Sequence, residues 1–147
     1  MQRLKDYFLG LGVTPVEVNE RTLTLPIELS TGILQGIISL SPDQNIVVFY
    51  AASPVRVPEE RRLAVAEYIT RVNYEVSIGA LEMDFNDGEV RYRVGLDYED
   101  TPLSPIQIKN LVQPAIHLMD RYLPGLLKVA LDAQEPAEAI RKANLPN

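Results

Sequence analysis

The stretch Tyr74-Glu-Val-Ser-Ile-Gly-Ala-Leu-Glu-Met-Asp-Phe-Asn-Asp-Gly-Glu-Val-Arg-Tyr-Arg-Val-Gly-Leu-Asp97 decides how this chain is read. Two runs of alternating apolar and polar residues flank Asp87-Gly88, and a two-residue turn needs positive φ at its centre, which Asp-Gly supplies at little steric cost. The pattern predicts a β-hairpin. Phe85 falls opposite Val90, Met83 opposite Tyr92 and Leu81 opposite Val94 on an apolar face, while Asp84 meets Arg91 and Glu82 meets Arg93 on a charged one. A one-residue slip would turn every apolar side chain to water, so the register is strongly specified. The hairpin itself carries no chemistry.

Upstream of it, Pro58 suits the first turn of a helix, with Glu59 and Glu60 where the macrodipole favours negative charge. Leu63, Ala66, Ile69 and Val72 form the expected buried stripe, and Glu67 and Arg71 are spaced to pair in water. The helix should stop near Asn73. Downstream, Ser104-Pro105-Ile106-Gln107 has the parts of a capped helix start. Apolar positions from Ile108 to Ala130 continue that helix, and Pro114 and Pro124, each lacking a backbone donor, predict a kinked or segmented one. A last short helix over about residues 136–143 begins at Pro136 and packs through Ile140.

At the other end, Leu4, Tyr7, Phe8 and Leu11 space a short amphipathic helix over residues 2–11. The period then changes to two. Val16 and Val18, then Leu23, Leu25, Ile27 and Leu29, alternate with polar neighbours or Pro26, which cannot donate to a ladder and so marks a sheet edge. Ile33 to Leu40 and Ile46 to Tyr50, joined by Ser41-Pro42-Asp43-Gln44, are apolar enough for the centre of the sheet. The order is α-β-β-β-α-β-β-α with a further short helix, and three or four strands in the first group. This is an α+β fold, an antiparallel sheet of about five strands with helices packed on it, in one domain spanning residues 1–147.

Composition narrows function further. The 147 residues can bury roughly 70% of the surface of the unfolded chain. Cysteine is absent, which removes disulfides, thiolate metal sites and a cysteine nucleophile, and suits a reducing cytoplasm. A net charge of −6 and a pI of about 4.8 give no positive field for nucleic acid or an anionic membrane. The longest apolar run, Ile46 to Ala52, is far short of the roughly 20 residues that span a bilayer. The first residues lack the apolar stretch of a signal peptide.

Candidate chemistry is sparse. His117 is the only histidine, so a triad or a multi-histidine metal site is excluded, and its place in an apolar helix suggests packing or surface. Glu82 and Asp84 share a strand face, but each faces an arginine that would lower its pKa. An acid–base enzyme would have to use Glu82, Asp84 or Asp97 with Tyr92. Asp84 to Gly88 departs from a calcium loop in its fifth position and in the place of its glycine. No phosphate-binding glycine loop occurs, and no cofactor is implied.

Val72-Asn73-Tyr74, Ile78-Gly79, Asp87-Gly88-Glu89-Val90-Arg91-Tyr92, Met119-Asp120-Arg121-Tyr122-Leu123-Pro124-Gly125 and Pro136-Ala137-Glu138-Ala139-Ile140 resemble the YbjN-type family of small bacterial proteins. The resemblance runs over about residues 57–140, and more loosely before them. It implies a fold like that of type III secretion chaperones, which commonly dimerise and bind polypeptide segments without catalysis. It also implies a sensory-transduction regulator, and it hands no residue a catalytic role. With the acidic charge and the missing catalytic set, it leads to the expectation of a cytoplasmic, non-enzymatic, protein-binding or chaperone-like regulator. The expected form is a homodimer with a protein or peptide partner and no nucleic acid or membrane. Strand addition at Leu23, Leu25 and Ile27, a groove beside residues 63–72, or Arg91 and Arg93 on the hairpin would bind that partner. The alternative is a small-molecule sensor with its ligand between the sheet and the long helix, where the prolines open space.

Overall fold

A computed structural model describes residues 1–99 and 101–145. In chain order the elements are α1 (Gln2–Gly10), β1 (Val16–Asn19), β2 (Thr22–Leu29), β3 (Gly32–Ser41), β4 (Ile46–Ala52), α2 (Arg62–Glu75), β5 (Ala80–Met83), β6 (Val90–Asp97), α3 (Pro105–Leu131) and α4 (Pro136–Ala143). The strands form one antiparallel sheet in the order β1-β2-β3-β4-β6-β5. The α+β class and the element order stand as read from the sequence. The sheet, expected to have about five strands, has six, the first group holding four because Val16–Asn19 folds back on Thr22–Thr24 as a strand of its own, with Asn19 Oδ1 accepting the Arg21 N–H at 2.9 Å in the turn.

The hairpin forms two residues away from its expected register. Leu81 pairs with Tyr92, Glu82 with Arg91 and Met83 with Val90. A shift of two leaves every side chain on its intended face, so the alternation that forbids a slip of one is silent about it. The loop chemistry decides. Asp84 Oδ1 accepts the Asn86 N–H at 2.8 Å, the Gly88 N–H donates to the Asp84 carbonyl at 2.8 Å, and the Asp84 N–H donates to the Glu89 carbonyl at 2.9 Å. A longer loop thereby closes around Gly88, at φ +76°, and Phe85 leaves the ladder for solvent. The segment before α2 seizes this loop: the Val57 N–H donates to the Gly88 carbonyl, Arg62 Nη1 donates to the Phe85 carbonyl, and Arg56 pairs with Asp87 and Glu89. A Cβ on residue 88 would stand 2.2 Å from the Val57 carbonyl oxygen, so glycine is required there.

All four helices gather on one side of the sheet. That side buries Leu23, Leu25 and Ile27 of β2, Ile38 of β3, Val47 and Phe49 of β4, and Tyr92 of β6 in one core with Leu4 and Phe8 of α1. α3 runs unbroken through Pro114 and Pro124, so of the expected kinked or segmented helix the segmented form does not occur. Each proline removes one donor from a helix whose packed face supplies far more stabilisation than one bond, and Ser104 and Gln107 complete the capping box at its start. Against it α2 turns Val65, Tyr68, Ile69 and Val72, leaving Leu63 79% exposed rather than in the buried stripe. Tyr68 Oη donates to the Tyr122 carbonyl at 2.8 Å beside Gly125, where a Cβ would lie 2.4 Å from that hydroxyl oxygen. α4 packs through Pro136 and Ala139, with Ile140 only half-buried.

The sheet edges are closed by different means. The Leu81 N–H donates to Asn73 Oδ1 and the Leu81 carbonyl accepts from Asn73 Nδ2, both at 2.9 Å, so a helix side chain takes the place of a strand beyond β5. At the other margin β1, not β2, is the edge strand, and it reaches only to Thr24. The Leu40 N–H donates to the Arg21 carbonyl at 2.8 Å, so the odd residues of β2 point their backbone groups at β3 and Pro26 points away. Its missing donor falls on the stretch that β1 leaves uncovered, which blunts a template for strand addition.

Candidate functional site

Among the described residues, the other side of the sheet carries no helix. Its side chains form rows that follow from the strand pairing: Pro26, Gln35, Ala52, Arg91 and Glu82 in one, Thr24, Ile37, Tyr50, Arg93 and Ala80 in the next, then Thr22, Ser39, Val48 and Gly95, then Ser41, Ile46 and Asp97. Down the middle run Ile37, Tyr50, Val48 and Ile46, each half-buried, and at the end of β3 Ile33 is 68% exposed. These alternate with core residues in the same strands. The sequence signal was therefore present, as an apolar surplus on both faces of β3 and β4 that four helices on one side cannot cover.

Along one margin stand two arginines held by one acid. Glu82 accepts from Arg91 Nε at 2.6 Å and from Arg93 Nε at 2.9 Å, and the Arg91 guanidinium carbon lies 4.3 Å from the centre of the Tyr50 ring. Burial of Arg91 opposes its charge, but the hydrogen bond and charge of Glu82 outweigh it and raise its pKa. Glu89 stands 3.8 Å from Arg91 Nη1, and among the described residues the terminal nitrogens of both arginines make no hydrogen bond. The arginines are thus fixed at their inner edge and open at their outer one.

The structure separates the other residues singled out in the sequence. Leu23, Leu25 and Ile27, at 0%, 5% and 3% exposure, face the core, so their side chains present nothing to a partner. Asp84 is not opposite Arg91 and serves the hairpin loop. Asp87 accepts the Glu89 N–H and pairs with Arg56, and both lower its pKa, the backbone bond first. The acid–base set does not converge. Tyr92 lies on the covered face, its hydroxyl donating to the Ile78 carbonyl at 2.9 Å, while Glu82 and Asp97 sit on the open face at opposite ends of β6. His117 is exposed. Among the described residues no cluster of His, Asp and Glu is placed to hold a metal ion, and no helix is long and apolar enough to cross a membrane.

The fold is thus a one-sided α+β sheet with an apolar, arginine-edged open face. The chain belongs to the YbjN family, whose model, described as "Putative bacterial sensory transduction regulator", matches residues 2–128. Among solved structures it is similar to "Crystal structure of YbjN, a putative transcription regulator from E. coli", with a TM-score of 0.60 and 18% identity over 90% of this chain and 89% of that one. That likeness supports the fold. No curated protein matches the chain. α4 lies beyond the residues that the family model matches.

Proposed function

We propose that the chain is a cytoplasmic, non-enzymatic regulator that acts as a homodimer and binds a protein partner, chaperone-like, on the open face of its sheet. The observation that carries this reading is the one-sided cover: Ile37, Tyr50, Val48 and Ile46 form a continuous apolar strip with no helix or strand of the described residues upon it. Membership of a family described as a regulator, and acids that serve turns and ion pairs instead of converging on a reaction site, point the same way. Leu63 and Tyr74, 79% and 93% exposed on the outer side of α2, are apolar groups that a second copy can cover.

Native mass spectrometry of the protein purified gently from its own host tests this. A dimer carrying an added polypeptide is expected, and Val48→Glu, which places a charge in the strip while sparing the core, should shed the polypeptide and keep the fold. A bare monomer for the parent chain would contradict the proposal. A second reading has one observation in its favour. Leu29, Ile33, Pro54, Leu123, Pro124 and Leu127 line a cleft of about 230 Å³ between the β2–β3 tip and α3, where a small apolar ligand would lie between sheet and long helix. That volume falls below the roughly 300 Å³ at which ligand sites begin. A metabolite set that leaves the melting temperature unchanged would remove this sensor role.

A further inference from the structure

Resting on the open face as the binding surface, the geometry points to the chemistry of its partner: an extended acidic segment of the pattern acid-x-acid-x-apolar, lying along β6. On the open face β6 presents Arg91, Arg93, Gly95 and Asp97 in succession. Alternate residues of a strand stand about 6.5–7 Å apart, the spacing at which an extended partner repeats its own side chains on one face. Two carboxylates set two residues apart would therefore meet the two guanidinium groups in register.

These arginines are built for such contacts. Glu82 holds each by Nε, which limits the rotamer freedom that a long side chain would otherwise lose on binding, and the outer N–H donors make no hydrogen bond among the described residues, with Glu89 3.8 Å from Arg91 Nη1. The Tyr50 ring lies beneath Arg91 and adds a cation–π contact to its hold. The next position along β6 is empty. A Cβ on residue 95 would meet nothing nearer than the Val47 carbonyl oxygen at 3.8 Å and Val48 Cγ2 at 3.9 Å, so the sheet has a hollow floored by Gly95 and walled by Val48. An apolar side chain following the two acids would fill it. Asp97 then stands where a further acid would be repelled, which limits the acidic run. A long polyphosphate chain fits less well, because Glu82, Glu89, Asp97 and the net charge of −6 oppose sustained negative charge, whereas two local carboxylates need only the unbonded outer N–H donors of the pair.

The test is a fluorescence-anisotropy titration of the full chain with a short synthetic peptide containing Glu-Ser-Glu-Ser-Leu, beside its counterpart with both Glu replaced by Gln. The acidic peptide is expected to bind about tenfold or more tightly than the Gln peptide, and Arg93→Gln should erase most of that difference, as loss of a charge-assisted contact implies. Gly95→Val, which the open space tolerates, should weaken both peptides while preserving their ratio. Equal binding of the two peptides, or an Arg93→Gln protein that still prefers the acidic one, would overturn the assignment. So would a single-stranded oligonucleotide that displaces the peptide at lower concentration than the peptide itself. Should the host's polypeptide be lost from Val48→Glu but retained by Arg93→Gln, the open face stands as the binding surface and the acidic pattern falls. Retention by both variants would remove the two together.

Discussion

Phe49 and Tyr50 are consecutive in β4, yet Phe49 is sealed beneath the helices at 0% exposure while Tyr50 stands on the open face under the Arg91 guanidinium. Both belong to an unbroken apolar run, and the strand turns alternate members of it to opposite sides. On one side apolar burial holds the fold together. On the other the same residue types remain half in water, where a monomer gains little from them and a binding surface gains much.

The largest way to break that comparison is to truncate the two rings in turn. Phe49→Ala should cost about 3–5 kcal/mol in urea unfolding, since it empties a packed site. Tyr50→Ala should cost about 1 kcal/mol or less, chiefly the lost contact with Arg91. Equal costs would mean that the open face is part of the core after all. A smaller effect tests the margin between the faces: Asn73→Ala removes both hydrogen bonds to the backbone of the buried Leu81 and should cost about 1–3 kcal/mol. It should also raise light scattering, because β5 then offers an unguarded edge.

The smallest effect is one of pH. Burial pushes the Tyr92 phenol from its ordinary 10.0 up to about 12. The folded state keeps it neutral where the unfolded chain ionises, so its contribution to stability is complete below about pH 10 and is lost as pH rises toward 12. Tyr92→Phe should flatten that alkaline fall in stability, as measured by unfolding at each pH. An unchanged alkaline limb would show that the hydroxyl is wetter than its full burial against Ile78 and Gly79 implies.

The order of elements was legible because periods of two and 3.6 are imposed by burial, and they survive in residues such as Leu23, Leu25 and Ile27 or Leu111 and Ala115. Val16 and Val18 alternate on so short a stretch that β1 could be read as part of the next strand. The hairpin register escaped because parity constrains a strand only modulo two: the deciding bonds of Asp84 lie within the loop itself, where side-chain alternation says nothing, and the Val57 bond to Gly88 joins segments far apart in sequence. Leu63 was misplaced for a related reason. At a helix start several apolar positions compete for one stripe, and the partner surface, here α3, selects Val65 and Tyr68. Of the candidate site, Arg91 and Arg93 were visible as charges on a strand, but their shared hold on Glu82 was not, since the expected register gave Glu82 to Arg93 alone. The apolar strip was written in β3 and β4. Its exposure depends on where four helices dock, which no local pattern states.

Two tyrosines offer the most direct test of the open face as the working surface. Tyr50 marks that face, and Tyr74, 93% exposed, marks the outer side of α2. Hydroxyl-radical footprinting of the protein with and without the host polypeptide proposed to bind it would compare their oxidation. The account predicts protection of Tyr50, together with Ile37 and Val48, and an unchanged Tyr74. Protection of Tyr74 with Tyr50 still fully reactive would contradict it and move the binding surface to the helices.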